Sequence, residues 1–233
     1  MVPQIHALTV SVGYGRLLFF SLLRFMPGFA SLTVVTAHGD TDTIETCEIL
    51  TRAYPHCPLH LYVTPAFYEN GAAFNKGKAM EEARQTMPWE DWILFFDADI
   101  CPPRRWWELI PEDLCAGFLY SCWRRQVDSL YDIADPLCPR IPDDRLGYGY
   151  FQLFHSHDPK VQRRPLLDTH WRHAGNYDSN FMLGFGPHVR ELPFDVWHLG
   201  PPSENWFGLN TRADFDAMME TRNGLGIHDS EKV

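Results

Sequence analysis

Two aspartates one residue apart, Asp97 and Asp99, directly follow the apolar run Trp92–Phe96. An unbroken apolar run of this length is typical of a strand buried on both faces of a mostly parallel sheet, and such sheets bind ligands at the carboxyl ends of their strands. Two carboxylates at that position repel each other unless a positive charge lies beside them. A hard divalent cation held by oxygen ligands would supply this charge. The alternative is a turn with two solvated carboxylates.

A second segment, Phe74–Ala79, has the sequence FNKGKA and overlaps the start of a predicted helix, Lys76–Met87. The N-terminus of a helix attracts phosphate and other anions, and Lys76 and Lys78 add positive charge there. Asn75 can cap the helix or form a hydrogen bond with a base or a ribose. The segment is therefore a candidate anion site, and an ordinary capped helix with surface lysines is the alternative.

Strands and helices alternate through the first half of the chain. This alternation predicts an α/β protein with a doubly wound, mostly parallel sheet in a single domain. The second half is less regular. The predicted strands are 7–12, 32–36, 59–63, 92–96, 116–123 and 148–154, and the predicted helices are 16–26, 43–54, 76–87 and 211–222.

The composition limits the class of protein. Of the 233 residues 45% are apolar, which is enough for a large core, and the formal net charge of −10 argues against an extensive basic surface for nucleic acid. The six cysteines form no CxxC pair, and the first residues lack the basic region of a signal peptide. The apolar stretch Leu17–Val35 is interrupted by Arg24 and Pro27. We therefore expect a soluble, cytoplasmic protein with free thiols and no membrane span.

Four short motifs occur in an order that resembles the GT-A glycosyltransferases, and among them the β-1,4-galactosyltransferase type. The first is the FNKGKA segment, and the second is the strand that ends in Asp97 and Asp99, with Pro102 just beyond. The third, HAGNYDSNF, contains Asp178, and the fourth, WHLG, contains His198. The order of the four motifs is more specific than any one of them.

This resemblance spans residues 7–208 and implies one GT-A domain with a nucleotide-sugar-binding half, 1–110, and an acceptor-binding and catalytic half, 111–233. It also implies transfer of a sugar, with inversion, from a nucleoside-diphosphate sugar such as a UDP-sugar to an acceptor hydroxyl. Asp178 would be the general base, and binding of sugar hydroxyls is its alternative role. The family has two or three adjacent acids in this segment, whereas here Tyr177 precedes Asp178.

The resemblance further implies a metal site. Asp99 and His198 would bind Mn²⁺ or Mg²⁺ directly, and an imidazole ligand suits Mn²⁺ better. Asp97 would be a weaker metal ligand or a ribose contact, and Lys78 would help to stabilise the leaving diphosphate. The other residues expected to line the donor pocket are Ser11, Gly13, Asp40, Asp42, Asn75 and Trp206. In the alternative interpretation, Asp40 and Asp42 form a turn and a helix N-cap, and Trp206 covers the core.

The acceptor is less defined than the donor. Small transferases of this kind resemble viral and phage enzymes that decorate hydroxymethylated pyrimidines in DNA, and such an enzyme would act in the host cytoplasm. The segment His155–His173 is locally basic, which suits contacts with phosphates. A solvated loop and a zinc site are its alternatives. A surface polysaccharide or a small sugar is the competing acceptor.

Two other classes of protein share some of these features. A nucleotidyltransferase also joins a doubly wound sheet to paired acids and a metal. It would usually carry a glycine-rich, basic phosphate loop after the first strand, and Val12–Arg16, with the sequence VGYGR, matches that loop poorly. A non-catalytic module that binds a nucleotide sugar would keep the fold without the reaction.

Overall fold

The computed structural model describes residues 3–127, 133, 138–141, 146–162, 165–170 and 177–199. In these ranges the chain forms ten β-strands and four α-helices. The strands are β1 (Ile5–Val10), β2 (Ser31–Ala37), β3 (Leu59–Thr64), β4 (Trp92–Asp97), β5 (Ile100–Cys101), β6 (Leu119–Ser121), β7 (Arg124–Val127), β8 (Phe151–His155), β9 (Val189–Glu191) and β10 (Val196–Leu199). The helices are α1 (Gly15–Phe25), α2 (Thr41–Ala53), α3 (Lys76–Arg84) and α4 (Tyr177–Leu183).

The strands form a large sheet and a small one. The large sheet has the strand order β3-β2-β1-β4-β8-β6-β9. Its first four strands are parallel, β8 is antiparallel to both β4 and β6, and β9 is parallel to β6. In the small sheet, β10 lies between β5 and β7. The predicted α/β class with a mostly parallel sheet is therefore confirmed.

Both faces of the large sheet are buried. Leu94 and Phe96 of β4 belong to the core cluster on the face covered by α1 and α2, whereas Ile93 and Phe95 belong to the cluster on the face covered by α3 and α4. Full burial of a large apolar side chain contributes about 1.5–3 kcal/mol. Because successive strand residues point to opposite faces, a strand covered on both sides needs the unbroken apolar run that the sequence shows.

Most predicted elements lie within a few residues of the observed ones. The largest difference is β6, which covers only Leu119–Ser121 of the predicted strand 116–123. Helix α3 ends at Arg84, before the predicted end at Met87, because Gln85 and Thr86 turn back to donate to carbonyls three residues earlier. The predicted helix 211–222 lies outside the described residues. Within those described, no helix is both long enough and apolar enough to cross a bilayer.

The carboxyl ends of β1, β2 and β4 lie at one edge of the large sheet. Val10 pairs with Asp97 in the parallel register, and Thr9 Oγ1 donates to the carbonyl of Phe96 at 2.8 Å. The chain leaves β4 at this edge and enters the small sheet at Ile100, which pairs with His198 of β10. The small sheet therefore brings the later part of the chain to the end of β4.

Candidate active site

Asp99 and His198 lie side by side where the two sheets meet. The Oδ2 atom of Asp99 is 3.4 Å from Nε2 of His198, and the two side chains are only 12% and 10% exposed. The backbone fixes this approach, because Leu199 donates its N–H to the carbonyl of Asp99 at 2.7 Å and β10 pairs with β5. The structure thus brings together the two residues expected to bind the metal.

The pKa values of this pair move in opposite directions. Burial alone would raise the pKa of Asp99, but the neighbouring His198, followed by Lys76 and Arg124, lowers it overall. Burial alone would lower the pKa of His198, but the adjacent Asp99 carboxylate raises it. A negative carboxylate thus stabilises a positive charge beside it, and a proton on His198 or a bound cation can provide that charge.

The donor atoms of this pair are suited to a divalent cation. One carboxylate oxygen and one imidazole nitrogen are ligands that Mn²⁺ accepts. Adjacent ligands of an ion that binds at about 2.1 Å lie about 3 Å apart, and the observed separation of 3.4 Å is close to this value. Among the described residues, no group of three or more His, Cys, Asp or Glu side chains is arranged to hold a metal. Within the described part of the chain, Asp99 and His198 therefore form a pair of candidate donors.

Asp97 contacts a lysine. Lys76 Nζ donates to Asp97 Oδ1 at 2.5 Å, and both side chains are mostly buried. Lys76 is the first residue of α3, and Asn75 caps this helix because its side chain accepts from the N–H of Lys78 at 2.9 Å. The capped helix start therefore carries Lys76 to the end of β4, a role that the sequence analysis did not assign to it.

Asp178 lies in the first turn of α4, near the contact between Lys76 and Asp97. Its Oδ2 accepts a hydrogen bond from Gly149 N at 3.0 Å, and its Oδ1 accepts one from Ser179 N at 2.8 Å. Burial raises the pKa of Asp178, and the negative charge of Asp97 raises it further, although Lys76 and the two N–H groups oppose this effect. Tyr150, the residue after Gly149, accepts a hydrogen bond from Asp97 N at 3.3 Å, so the predicted base lies at the end of β4 in a cluster with Lys76 and Asp97.

Lys78 lies away from this cluster. Its ammonium group pairs with Glu69, and this contact is the main reason that the pKa of Lys78 is raised. Residues i and i+2 of a helix point to different sides, so Lys76 and Lys78 cannot both reach Asp97. Lys78 and Asn75 instead line a cavity of about 550 Å³ with Glu69 and Glu82. Asn75 also donates to the Thr169 carbonyl at 2.9 Å.

Asp40 caps helix α2. Its Oδ1 accepts from Thr43 N at 3.3 Å, and its Oδ2 accepts from Thr36 Oγ1 at 2.7 Å and from Gly13 N at 3.0 Å. Gly13 has φ = +70°, a conformation that favours glycine. The structure gives Asp40 the N-cap role that was the alternative from sequence. Its contact with a nucleotide stays a prediction.

Three other residues were predicted to line the pocket for the nucleotide sugar, namely Ser11, Asp42 and Trp206. Ser11 is buried, and its hydroxyl lies 3.0 Å from Thr43 Oγ1. Asp42 is exposed in the first turn of α2. Trp206 lies outside the described residues. The structure thus places Ser11 just after β1 and Asp42 just after β2, near the carboxyl ends of these strands.

A solved mannosyltransferase shares the fold of this chain. The chain matches the mannosyltransferase PcManGT from Pyrobaculum calidifontis, solved with GDP-Man and Mn²⁺, at a TM-score of 0.58 and 14% identity, over 99% of this chain and 66% of that one. The chain has a GT-A fold. It thus spans just under two thirds of the length of that mannosyltransferase. The fold predicted from the motif order is confirmed, and the β-1,4-galactosyltransferase type stays a prediction.

Two other solved structures match this chain more weakly. Mouse xyloside xylosyltransferase 1 in its apo form matches at a TM-score of 0.45 and 12% identity over 84% of each chain. HddC from Yersinia pseudotuberculosis matches at 0.45 and 10% identity over 93% of this chain and 98% of that one. No protein-family model matches the sequence, and no curated protein does.

Proposed function

We propose that this protein is a metal-dependent glycosyltransferase that moves a sugar from a nucleoside-diphosphate sugar to an acceptor hydroxyl. The contact between Asp99 and His198 carries the proposal, because it joins a carboxylate and an imidazole at the ligand-binding edge of a GT-A sheet. The cluster of Lys76, Asp97 and Asp178 beside it supports a reaction that needs both charge and a base. The residues 1–110 would bind the donor, and 111–233 would supply the base and the acceptor contacts.

In this reaction Asp99 and His198 would hold Mn²⁺ or Mg²⁺, which neutralises the charge of the leaving diphosphate. Asp178 would accept the proton of the acceptor hydroxyl as its oxygen bonds to the anomeric carbon and the bond from that carbon to the diphosphate oxygen breaks. A single displacement inverts the anomeric configuration. The N–H groups of Gly149 and Ser179 would keep the Asp178 carboxylate oriented, and Lys76 would hold Asp97 in the cluster.

For the donor we propose a UDP-sugar, as the resemblance to the galactosyltransferase type implies. GDP-mannose is the second donor to test, because the mannosyltransferase of similar fold was solved with GDP-Man. Ser11, Gly13, Asp40 and Asp42 would lie near the nucleoside. The cavity lined by Asn75 and Lys78 would receive another part of the donor, and Trp206 would stack on its sugar or base.

For the acceptor we propose a hydroxymethylated pyrimidine in DNA, which the basic segment 155–173 suggested. Lys160 donates to the Gly117 carbonyl at 2.9 Å, so this cation contacts the protein itself. A saccharide is therefore the second acceptor to test. Mass spectrometry of modified DNA and of oligosaccharides, after incubation with each donor, separates the two.

The first experiment is a thermal-shift screen of nucleotide sugars with and without Mn²⁺, since a specific ligand raises the apparent stability by mass action. We expect a shift that needs both the metal and the nucleotide sugar, followed by release of a nucleoside diphosphate when an acceptor is added. Release of pyrophosphate would instead indicate a nucleotidyltransferase. Tight binding with neither hydrolysis nor transfer would indicate a binding module.

A further inference from the structure

Arg124 lies on the strand next to the one that carries His198, although nothing in the local sequence marks it. It is the first residue of β7, which runs parallel to β10 and pairs Arg124 with Val196 and Gln126 with His198. The guanidinium carbon of Arg124 is 4.2 Å from the centre of the Tyr150 ring. This distance is typical of a cation stacked on an aromatic face.

Tyr150 connects Arg124 to the end of β4. It is buried, and its hydroxyl donates to the Cys122 carbonyl at 2.7 Å. Its own carbonyl accepts a hydrogen bond from the N–H of Asp97 at 3.3 Å. The ring that supports the guanidinium is therefore attached to the strand end that leads into Asp99, and Arg124 itself stays partly exposed.

A fixed positive charge at this position repels a divalent cation bound by Asp99 and His198. Arg124 and His198 lie on the same face of the small sheet, because Val196, the strand partner of Arg124, is two residues before His198. A ligand that is itself strongly negative removes this conflict, because it attracts the metal and the guanidinium together. A diphosphate has this charge, and a guanidinium can bind phosphate oxygens through two parallel hydrogen bonds.

We propose that Arg124 binds the diphosphate of the donor, together with the metal that Asp99 and His198 would hold. The proposal rests on the proposed function, because it names a further residue of the same donor site. Arg124 would attract the diphosphate in the bound donor and stabilise the second negative charge that develops as the sugar leaves.

The neighbouring arginine provides a matched control. Successive strand residues point to opposite faces, and Arg125 donates to Asp195 Oδ2 at 2.7 Å and to the Cys138 carbonyl at 2.6 Å. Arg140 also pairs with Asp195, so replacement of Arg125 leaves that carboxylate with a partner. Arg125→Gln removes the same charge from the same strand without removing the proposed diphosphate contact.

The test measures, by titration calorimetry, the binding of UDP and GDP in the presence of Mn²⁺, and of Mn²⁺ alone. We expect Arg124→Gln to weaken nucleoside diphosphate binding roughly tenfold to hundredfold, the usual effect of losing a hydrogen bond to a charged group. Affinity for uridine and guanosine should not change. Affinity for Mn²⁺ alone should stay the same or increase, because a repelling charge has been removed. Arg125→Gln should bind nucleoside diphosphate like the wild type.

Equal nucleoside diphosphate affinity in Arg124→Gln and the wild type would overturn the proposal. An equal loss of Mn²⁺ and nucleoside diphosphate affinity would also overturn it, because Arg124 would then only support the metal ligands. If the wild type binds neither UDP nor GDP with Mn²⁺, the proposed function itself fails. If Arg124→Gln does not fold, Arg124→Lys is the second variant, because lysine keeps the positive charge but cannot form the two parallel hydrogen bonds of a guanidinium. We expect it to bind several-fold more weakly, and unchanged affinity would count against the proposal.

Discussion

Asp178 Oδ2 accepts a hydrogen bond from the backbone N–H of Gly149 at 3.0 Å. A Cβ atom built on Gly149 would lie 2.5 Å from the Cβ of Asp178 and 2.6 Å from that oxygen. Real Cβ atoms do not approach other heavy atoms so closely. A side chain at position 149 must therefore displace the carboxylate that we propose as the base.

Gly149→Ala should lower the rate of sugar transfer by about a hundredfold. A correctly placed general base accelerates a reaction by about a hundredfold to ten-thousandfold, and this variant displaces the base. Overpacking should also lower the free energy of unfolding by about 1–3 kcal/mol. Binding of Mn²⁺ should persist. The control is Gly117→Ala, whose φ of +99° is strained for alanine although its Cβ would meet no atom within 4 Å. A normal transfer rate in Gly149→Ala would show that Asp178 does not act from this position.

Replacement of either residue of the Asp99–His198 pair should abolish metal binding. We expect Asp99→Asn and His198→Gln each to lower Mn²⁺-dependent transfer by about a hundredfold or more, because the metal supplies several kcal/mol of charge stabilisation. Calorimetric titration with Mn²⁺ measures the loss directly. The exposed His188 offers a control, since its ring packs against Phe118 and His188→Gln removes an imidazole that is not part of this pair. Mn²⁺ affinity that survives in both site variants would contradict the metal assignment.

That Asp99 and His198 belong to one site could be predicted from the sequence, but the surroundings of this pair could not. The order of motifs identifies Asp99 and His198, and the apolar run before Asp97 identifies the central strand. The contact of Gly149 with Asp178 joins distant segments and follows no local pattern. Arg124 was missed for the same reason, because only the pairing of β7 with β10 brings it to the site.

The choice between Lys76 and Lys78 shows a second limit. Both follow the same N-cap, and the sequence does not show which side of the helix faces β4. Only the packing of α3 on the sheet decides that Lys76 contacts Asp97 and that Lys78 contacts Glu69. The sequence therefore predicted a lysine at the helix start, but it favoured the one that lies away from the cluster.

Lys76→Met should consequently impair transfer more than Lys78→Met. Loss of Lys76 leaves Asp97 without its ammonium partner beside Asp178, and the pKa of Asp178 should rise further because a positive charge that lowers it is gone. We expect about a tenfold or larger fall in kcat/KM at neutral pH, with partial recovery at higher pH where Asp178 loses its proton. The pH profiles of the wild type and both variants test this order. A larger effect of Lys78→Met would support the original expectation from sequence.

The raised pKa of Asp178 predicts how activity and stability depend on pH. A base must be deprotonated, so kcat/KM should rise with pH through this raised pKa, and Asp178→Asn should lack that rise. Stability should change in the opposite direction. The folded protein binds the proton more tightly than the unfolded chain, so between the ordinary and the raised pKa the contribution of Asp178 to the free energy of unfolding falls as pH increases.

Urea unfolding of the metal-free protein at several pH values measures this contribution. Asp178→Asn cannot titrate, and it replaces one acceptor oxygen with an amide that faces either Gly149 N or Ser179 N. That mismatch should cost about 1–3 kcal/mol at every pH, since one buried N–H loses its partner. The wild type should therefore be more stable than Asp178→Asn by an amount that is largest at low pH and decreases as Asp178 ionises. A stability difference that grows with pH would show that the folded structure favours the ionised carboxylate. The two N–H groups and Lys76, which lower the pKa of Asp178, would then have a larger effect than burial and Asp97, which raise it.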